Sequence, residues 1–331
     1  MTPEYPADNN FDILRTCFAY FVVLMHARFL YGGDADAFPF NLAGVGVDGF
    51  FVISGFLMTW SLTRQSALKP YAIKRAFRIL PPYVLIVALQ TVVFARLATP
   101  GFPGLRSEAV RYFAANAVFL NFLKPAIGDS VDSLRVPAIN GSLWTLKVEV
   151  AFYILLPAIL FLHRRFGWAV LAFLFACSCA YALVFPSGKW SQQFPGQMRF
   201  FTAGIAMFYY GHLLKRCGGL ALMAAVGMGG LLLTWQAERP SIVLDPVFLG
   251  LLVYGVAFAP FVWRIRTDLS YSAYLIHFPL IQIALREGWF VRSFWPFLAF
   301  VLAATTALAW GSFRWIEKPG MEMGRRLARA A

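Results

Sequence analysis

A chain of 331 residues with 60% apolar and only 14% charged side chains cannot be a water-soluble globule, where about 45–50% apolar and 25% charged is usual. The same figures exclude disorder and a disulfide-stapled scaffold, and the continuous apolar runs exclude the alternating pattern of an outer-membrane barrel. The excess of 29 Lys and Arg over 16 Asp and Glu lies in short clusters between those runs, so it reports membrane topology, and no nucleic-acid partner is implied.

At roughly 20 apolar residues per crossing, the length holds about ten spanning helices and little else. They fall near 12–31, 44–62, 77–97, 142–162, 167–185, 198–214, 219–236, 243–263, 269–287 and 294–313. The expected fold is an all-α polytopic transmembrane bundle, a single membrane domain over 1–331. Basic residues set its orientation. Segments 63–76, 163–166, 215–218, 264–268 and 314–331 carry fifteen of the 29 Lys and Arg, whereas the opposite connectors, with Lys189 and Arg239, carry eight. The positive-inside rule therefore puts both termini in the cytoplasm. Residues 109–123 are apolar but short for a span and contain Arg111; they read as an interfacial or re-entrant helix in the long outer connector 98–141, a segment suited to shaping an acceptor site. The first span carries Asp12, Arg15, His26 and Arg28 and is not a cleaved signal peptide. Cys17, Cys177, Cys179 and Cys217 lack metal-site spacing and read as structural thiols.

Ionisable groups within apolar helices are costly and point inward to partners, water or ligand. Arg15 and His26 are eleven residues apart, about three turns, so they share one face of the first span with roughly 16 Å between them. They either line one channel, or Arg15 reaches the headgroups while His26 satisfies a neighbour. In the second span Gly46, Gly49 and Gly55 allow close helix approach; Asp48 serves either helix positioning or chemistry. Arg75 and Arg78, with Lys74 beside them, face the inner surface either as topology determinants or as a clamp for phosphate oxygens. In the fourth span Ser142 is a natural N-cap, Trp144 follows, and Glu149 two turns inside needs a cationic or imidazole partner. Arg199 heads the sixth span. His277, ahead of Pro279 in the ninth, is either a second site residue or a packing histidine. No two histidines have metal-ligand spacing, and no Walker loop or GxGxxG motif is present, so no metal is expected.

Taken in order, Arg15-x10-His26, GVDGFFVISGFL at 46–57, Arg75-x-x-Arg78 with Pro81-Pro82-Tyr83, SLWTLKVE at 142–149, YSAYLIHFPL at 271–280 and Arg314-Trp-Ile-Glu-Lys-Pro319 resemble the acyltransferase-3 family of bacterial integral membrane acyltransferases. The resemblance implies a multi-pass enzyme of the bacterial inner membrane that moves an acyl group, usually acetyl, from acyl-CoA to a hydroxyl of a glycan or other sugar-containing acceptor. Acyl-CoA would be a donor substrate, with no permanently bound cofactor. Arg15 and His26 match the family's arginine–histidine motif, Arg75 and Arg78 its two-arginine motif, and Glu149 the first glutamate of its Trp-containing motif. Val150 stands where a second glutamate often follows, and no appended extracytoplasmic domain is expected.

On that basis Arg75 and Arg78, with Lys74 and Arg15, would hold the CoA phosphates, and His26 would act as general base on the acceptor hydroxyl. Glu149 would orient His26. Arg199, Trp144 and Ser142 are candidate oxyanion donors, with Asp48 and His277 as possible supporting residues. A polytopic transporter or flippase for a glycan or lipid-linked substrate is the alternative, with Arg15, Asp48, Glu149 and His277 along its pathway.

Overall fold

The computed structural model describes residues 4–6, 8–65, 67–186, 190–236, 241–260 and 267–330. Lys189, Arg239, Arg264 and Arg266, used above to orient the chain, lie outside the described residues, as do the side chains of residues 215–218 with Cys217. Among the described residues the fold is all-helical, with no strand. The helices are α1 (Phe11–Leu30), α2 (Ala43–Thr63), α3 (Leu68–Leu97), α4 (Leu105–Ala117), α5 (Trp144–Phe166), α6 (Trp168–Val184), α7 (Phe194–Gln236), α8 (Leu244–Ala257), α9 (Ser270–Arg286), α10 (Phe294–Ser312) and α11 (Lys318–Arg329). Five stretches, Phe11–Leu30, Phe40–Thr63, Leu68–Leu97, Gly141–Phe166 and Phe294–Arg329, are long and apolar enough to cross a membrane; Trp168–Val184, Gly219–Trp235 and Leu244–Ala257 are shorter apolar helices. The chain is a multi-pass membrane protein.

Every apolar run read from the sequence contains helix, and the boundaries differ for physical reasons. α7 joins the expected sixth and seventh spans, broken at Gly219, where φ 75° and ψ 173° leave the helix in a region that glycine enters without steric cost. α3 begins at Leu68, so Lys74, Arg75 and Arg78 stand on a helix and not in a loop. Residues 105–117 form a short helix inside the 98–141 connector. The expected cap of the fourth span is displaced by two residues. Asn140, not Ser142, accepts the Ser142 N–H at 3.2 Å and heads a 3-10 turn at Gly141–Leu143, after which α5 starts at Trp144. The amide oxygen of Asn140 also takes the Ser142 hydroxyl at 2.7 Å, which removes that hydroxyl from capping duty. Cys17, Cys177 and Cys179 are free thiols.

The chain forms two compact units, each assembled from three separate stretches. The first comprises Met1–Phe18, Val45–Tyr71 and Val148–Arg266. Its core gathers Tyr5, Phe11, Phe56, Phe208, Tyr254 and Phe258 in edge-on and tilted contacts. Tyr5 donates its hydroxyl to the Phe208 carbonyl at 2.6 Å, and Asn10 donates its backbone N–H to the Ala257 carbonyl at 2.8 Å. α2 and α7 touch backbone to backbone: a Cβ on Gly55 would strike the Phe201 carbonyl, and one on Gly204 the Val52 carbonyl. Such small-residue contacts let membrane helices approach closely.

The second unit comprises Ala19–Gly44, Ala72–Lys147 and Thr267–Ala331. One apolar cluster unites Val23, Ala27 and Leu30 with Phe278, Ile281, Phe297 and Val301; another unites Phe94, Tyr112, Ile127, Val131 and Ile139. The connector 98–141 is pinned by polar contacts: Arg286 donates to the carbonyls of Ser130 and Leu97, and Lys124 pairs with Glu108. That ammonium holds the Glu108 carboxyl below the ordinary carboxylate range. α11 lies on α3, where Gly324 leaves room for Phe77.

Candidate active site

The second unit brings together two histidines 251 residues apart in sequence. His26 in α1 and His277 in α9 approach with Nδ1 of the first 2.9 Å from Nε2 of the second. The proton positions follow from the outer contact of the pair. His277 Nδ1 lies 3.1 Å from the carbonyl oxygen of Ala273, one turn earlier. A carbonyl only accepts, so His277 carries its proton on Nδ1 and, as a neutral ring, presents the Nε2 lone pair to His26. His26 must then donate from Nδ1, which leaves its Nε2 a lone pair with no hydrogen bond among the described residues. His277 is fully buried, His26 half-buried, and the Phe278 ring stands edge-on to His26 at 5.0 Å. A general base needs an oriented imidazole with one open nitrogen, and this pair provides it.

α9 is itself held to the start of α5. Asn140 Nδ2 donates to the Leu275 carbonyl at 2.9 Å and to Gln90 Oε1 at 3.3 Å. The Thr145 hydroxyl donates to the Tyr274 hydroxyl at 2.9 Å, which donates to the Ser142 carbonyl at 3.2 Å. Ser142, Asn140, Thr145 and Tyr274 are all buried. The Ser142 hydroxyl, expected as an oxyanion donor, has Asn140 as its partner. Trp144 opens α5 and is half-buried.

At the other end of α9, Arg78 of α3 pairs with Asp268 at 3.0 Å and directs a second nitrogen to the Met321 sulfur at 3.4 Å. The remaining Asp268 oxygen accepts the Ser270 N–H at 3.1 Å and its hydroxyl at 2.5 Å. Ser270 lies seven residues before His277, about 10 Å along the helix axis. Lys74 and Arg75 flank Arg78 on α3, both half-buried. Two residues after Ser270, on the opposite face of α9, the Ser272 hydroxyl donates at 3.0 Å to the buried carboxylate of Glu317, which ends a π-helical turn at Phe313–Glu317.

Arg15, Asp48, Glu149 and Arg199 belong to the first unit. Arg15 stands on the same unbroken α1 as His26. Glu149 accepts the hydroxyl of Tyr153, one turn later on α5, at 2.7 Å. Asp48 and Arg199 share an electrostatic neighbourhood with Asp245. No group of three His, Cys, Asp or Glu among the described residues is arranged to hold a metal. Asp268, Asn140 and Asp245 were not singled out from sequence. The first two carried a signal: each is a short polar side chain just ahead of a helix, the pattern of a capping residue.

A family model described as an acyltransferase domain matches residues 8–314. Nodulation protein 10 of Rhizobium leguminosarum bv. viciae is 29% identical, the match covering 95% of this chain and 94% of that protein. An O-acetyl transferase of Shigella phage Sf6 is 25% identical over 94% of this chain and 95% of its own length. A peptidoglycan O-acetyltransferase of Listeria monocytogenes serovar 1/2a is 26% identical over 83% of this chain but only 51% of its own length. No solved structure matches the chain.

Proposed function

The chain belongs to the acyltransferase-3 family and is an O-acyltransferase, and we propose that it moves an acetyl group from acetyl-CoA to a sugar hydroxyl of a glycan, in the bacterial inner membrane with both termini cytoplasmic. The observation that carries the chemistry is the His26–His277 pair, whose hydrogen bonds leave a single open basic nitrogen, His26 Nε2. The acceptor hydroxyl gives its proton to that nitrogen as its oxygen attacks the thioester carbonyl. The C–O bond forms, the C–S bond breaks, and the proton on Nε2 passes to the departing thiolate to give free CoA. Throughout, the His26 Nδ1–H bond to His277 holds the ring in place and shares the transient positive charge.

Arg78, with Lys74 and Arg75, is the donor end. Asp268 and Met321 fix the direction of its guanidinium, and a planar fork of donors suits phosphate oxygens. Glu149 and Arg15, which match family motifs, are supporting residues in this reading. The glycan acceptor is supported by the relative named for peptidoglycan O-acetylation.

The test uses the full chain in lipid nanodiscs with acetyl-labelled acetyl-CoA and a panel of soluble peptidoglycan fragments and chito-oligosaccharides. Label on a glycan with equimolar release of CoA supports the reading. A thioester left intact while a glycan crosses a sealed bilayer supports the transporter instead. Arg78→Gln is expected to raise the KM for acetyl-CoA about tenfold or more, the size of a lost charge-assisted hydrogen bond, with a smaller change in kcat.

A further inference from the structure

The first unit contains a second polar site, at the N-terminal ends of three helices. Asp48 lies in the second turn of α2, Arg199 in the second turn of α7 and Asp245 in the first turn of α8. The close packing of α2 on α7 explains how the first two meet. Asp48, Val52 and Gly55 share one face of α2, and Val52 and Gly55 are the residues in backbone contact with Gly204 and Phe201 of α7. The same register brings Asp48, two turns earlier, to the level of Arg199. α8 packs on α7 through Gly250, which sits against Ala203 and Met207, so Asp245 near the start of α8 lies toward the same end; Asp48, Cys179 and Asp245 are the electrostatic neighbours of Arg199. α6 holds the arginine in position, since the Ser178 hydroxyl accepts the Arg199 backbone N–H at 2.9 Å and donates to the Pro195 carbonyl at 2.6 Å.

These groups do not satisfy one another. Neither carboxylate closes an ion pair with Arg199 among the described residues. Arg199 Nε and Asp245 Oδ1 are buried without a hydrogen-bond partner, and so is the hydroxyl of Thr202, one turn further along the Arg199 side of α7. Thr202 is only 2% exposed, and buried polar atoms of this kind ordinarily find a partner. The open positions comprise a donor, an acceptor and a hydroxyl that can do either. The charges then select the ligand. A guanidinium between two carboxyl groups offers neither the excess positive charge a phosphate needs nor the cation-free acid cluster a metal ion needs. A neutral polyol fits both, because each of its hydroxyls donates to a carboxylate and accepts from a guanidinium.

We propose that Arg199, Asp48, Asp245 and Thr202 form an acceptor subsite that binds the hydroxyls of a neutral sugar ring. This rests on the O-acetyl transfer to a glycan proposed above, for which it names the residues that recognise the acceptor. With the termini cytoplasmic, the starts of α2, α7 and α8 face outward, where surface glycans are found.

The experiment measures the KM for the glycan and the KM for acetyl-CoA separately, with the full chain in nanodiscs and whichever fragment of the panel accepts label. Asp245→Asn and the near-isosteric Thr202→Val are each expected to raise the glycan KM about tenfold, while the acetyl-CoA KM moves less than twofold. Thr202→Val keeps the branched shape and exchanges only the hydroxyl for a methyl, so it reports on binding even where Asp245→Asn folds poorly. An acetyl-CoA KM that rises in step, a fall in kcat with both KM values unchanged, or no change at all would each overturn the subsite. A wild-type protein that releases CoA yet labels no glycan in the panel would overturn the proposed acceptor, and the subsite with it.

Discussion

The histidine pair of the second unit and the charge cluster of the first differ in how completely their hydrogen bonds are satisfied. His277 has both ring nitrogens engaged, one by the Ala273 carbonyl and one by His26, so the pair is set in a single protonation pattern with one open nitrogen. Around Arg199, Asp245 and Thr202 several buried polar atoms have no protein partner. A group that performs chemistry needs its orientation decided before the substrate arrives. Residues that recognise a ligand instead keep positions open for it. Under the proposed function the first is the reacting centre and the second a binding one, although both consist of ionisable groups in apolar helices.

The largest effect expected is at the reacting centre. His26→Ala removes the base and should lower acetyl transfer by about 10²- to 10⁴-fold, read as labelled glycan per enzyme, with expression and chromatographic behaviour unchanged. His277→Phe keeps an aromatic ring of similar size but removes the lone pair that fixes the His26 proton. Its loss should be about 10- to 100-fold, the scale of removing a partner that orients a functional histidine. An unchanged rate in His277→Phe would reduce that residue to packing. Asn140→Ala should act on stability instead, since it frees the Leu275 carbonyl and the Ser142 N–H and hydroxyl in a buried setting. The expected cost is about 1–3 kcal/mol, visible as a lowered thermal midpoint, with residual activity that recovers on cooling.

The smallest effect concerns the connector. Glu108 is depressed below its ordinary carboxylate range by Lys124, so its contribution is complete above the unfolded pKa and is lost as pH falls through the folded value. Glu108→Gln should therefore loosen residues 105–124 at neutral pH by about 0.2–1 kcal/mol and make no difference in strong acid. Hydrogen exchange of that segment at the two pH values measures it.

Much of this was legible in the chain itself. Apolar runs of helical length located the helices, because a bilayer tolerates spanning backbone only in helices and closed barrels. His26 stood out as an imidazole where apolar side chains are expected. For His277 the two sequence readings were a site residue or a packing histidine, and its contact with His26, across 251 residues, was not readable from either helix alone. Periodicity places a residue on a face of its own helix, not against a particular partner. The same reason hid Asp268, whose ion-pair partner Arg78 stands on another helix, and Asp245, an electrostatic neighbour of Arg199 on α7. The displaced cap at Asn140 is a local matter: Asn140 and Ser142 are both good capping residues, and the 3-10 turn between them decided the outcome.

The pairing of His26 with His277 is the central claim, and a double-mutant cycle tests it most directly. Acetyl transfer is measured for wild type, His26→Ala, His277→Phe and the double variant in nanodiscs. If His277 acts through His26, the double variant transfers at the rate of His26→Ala alone, because the orienting partner has nothing left to orient. Losses that multiply in the double variant would show two independent roles and contradict the pair.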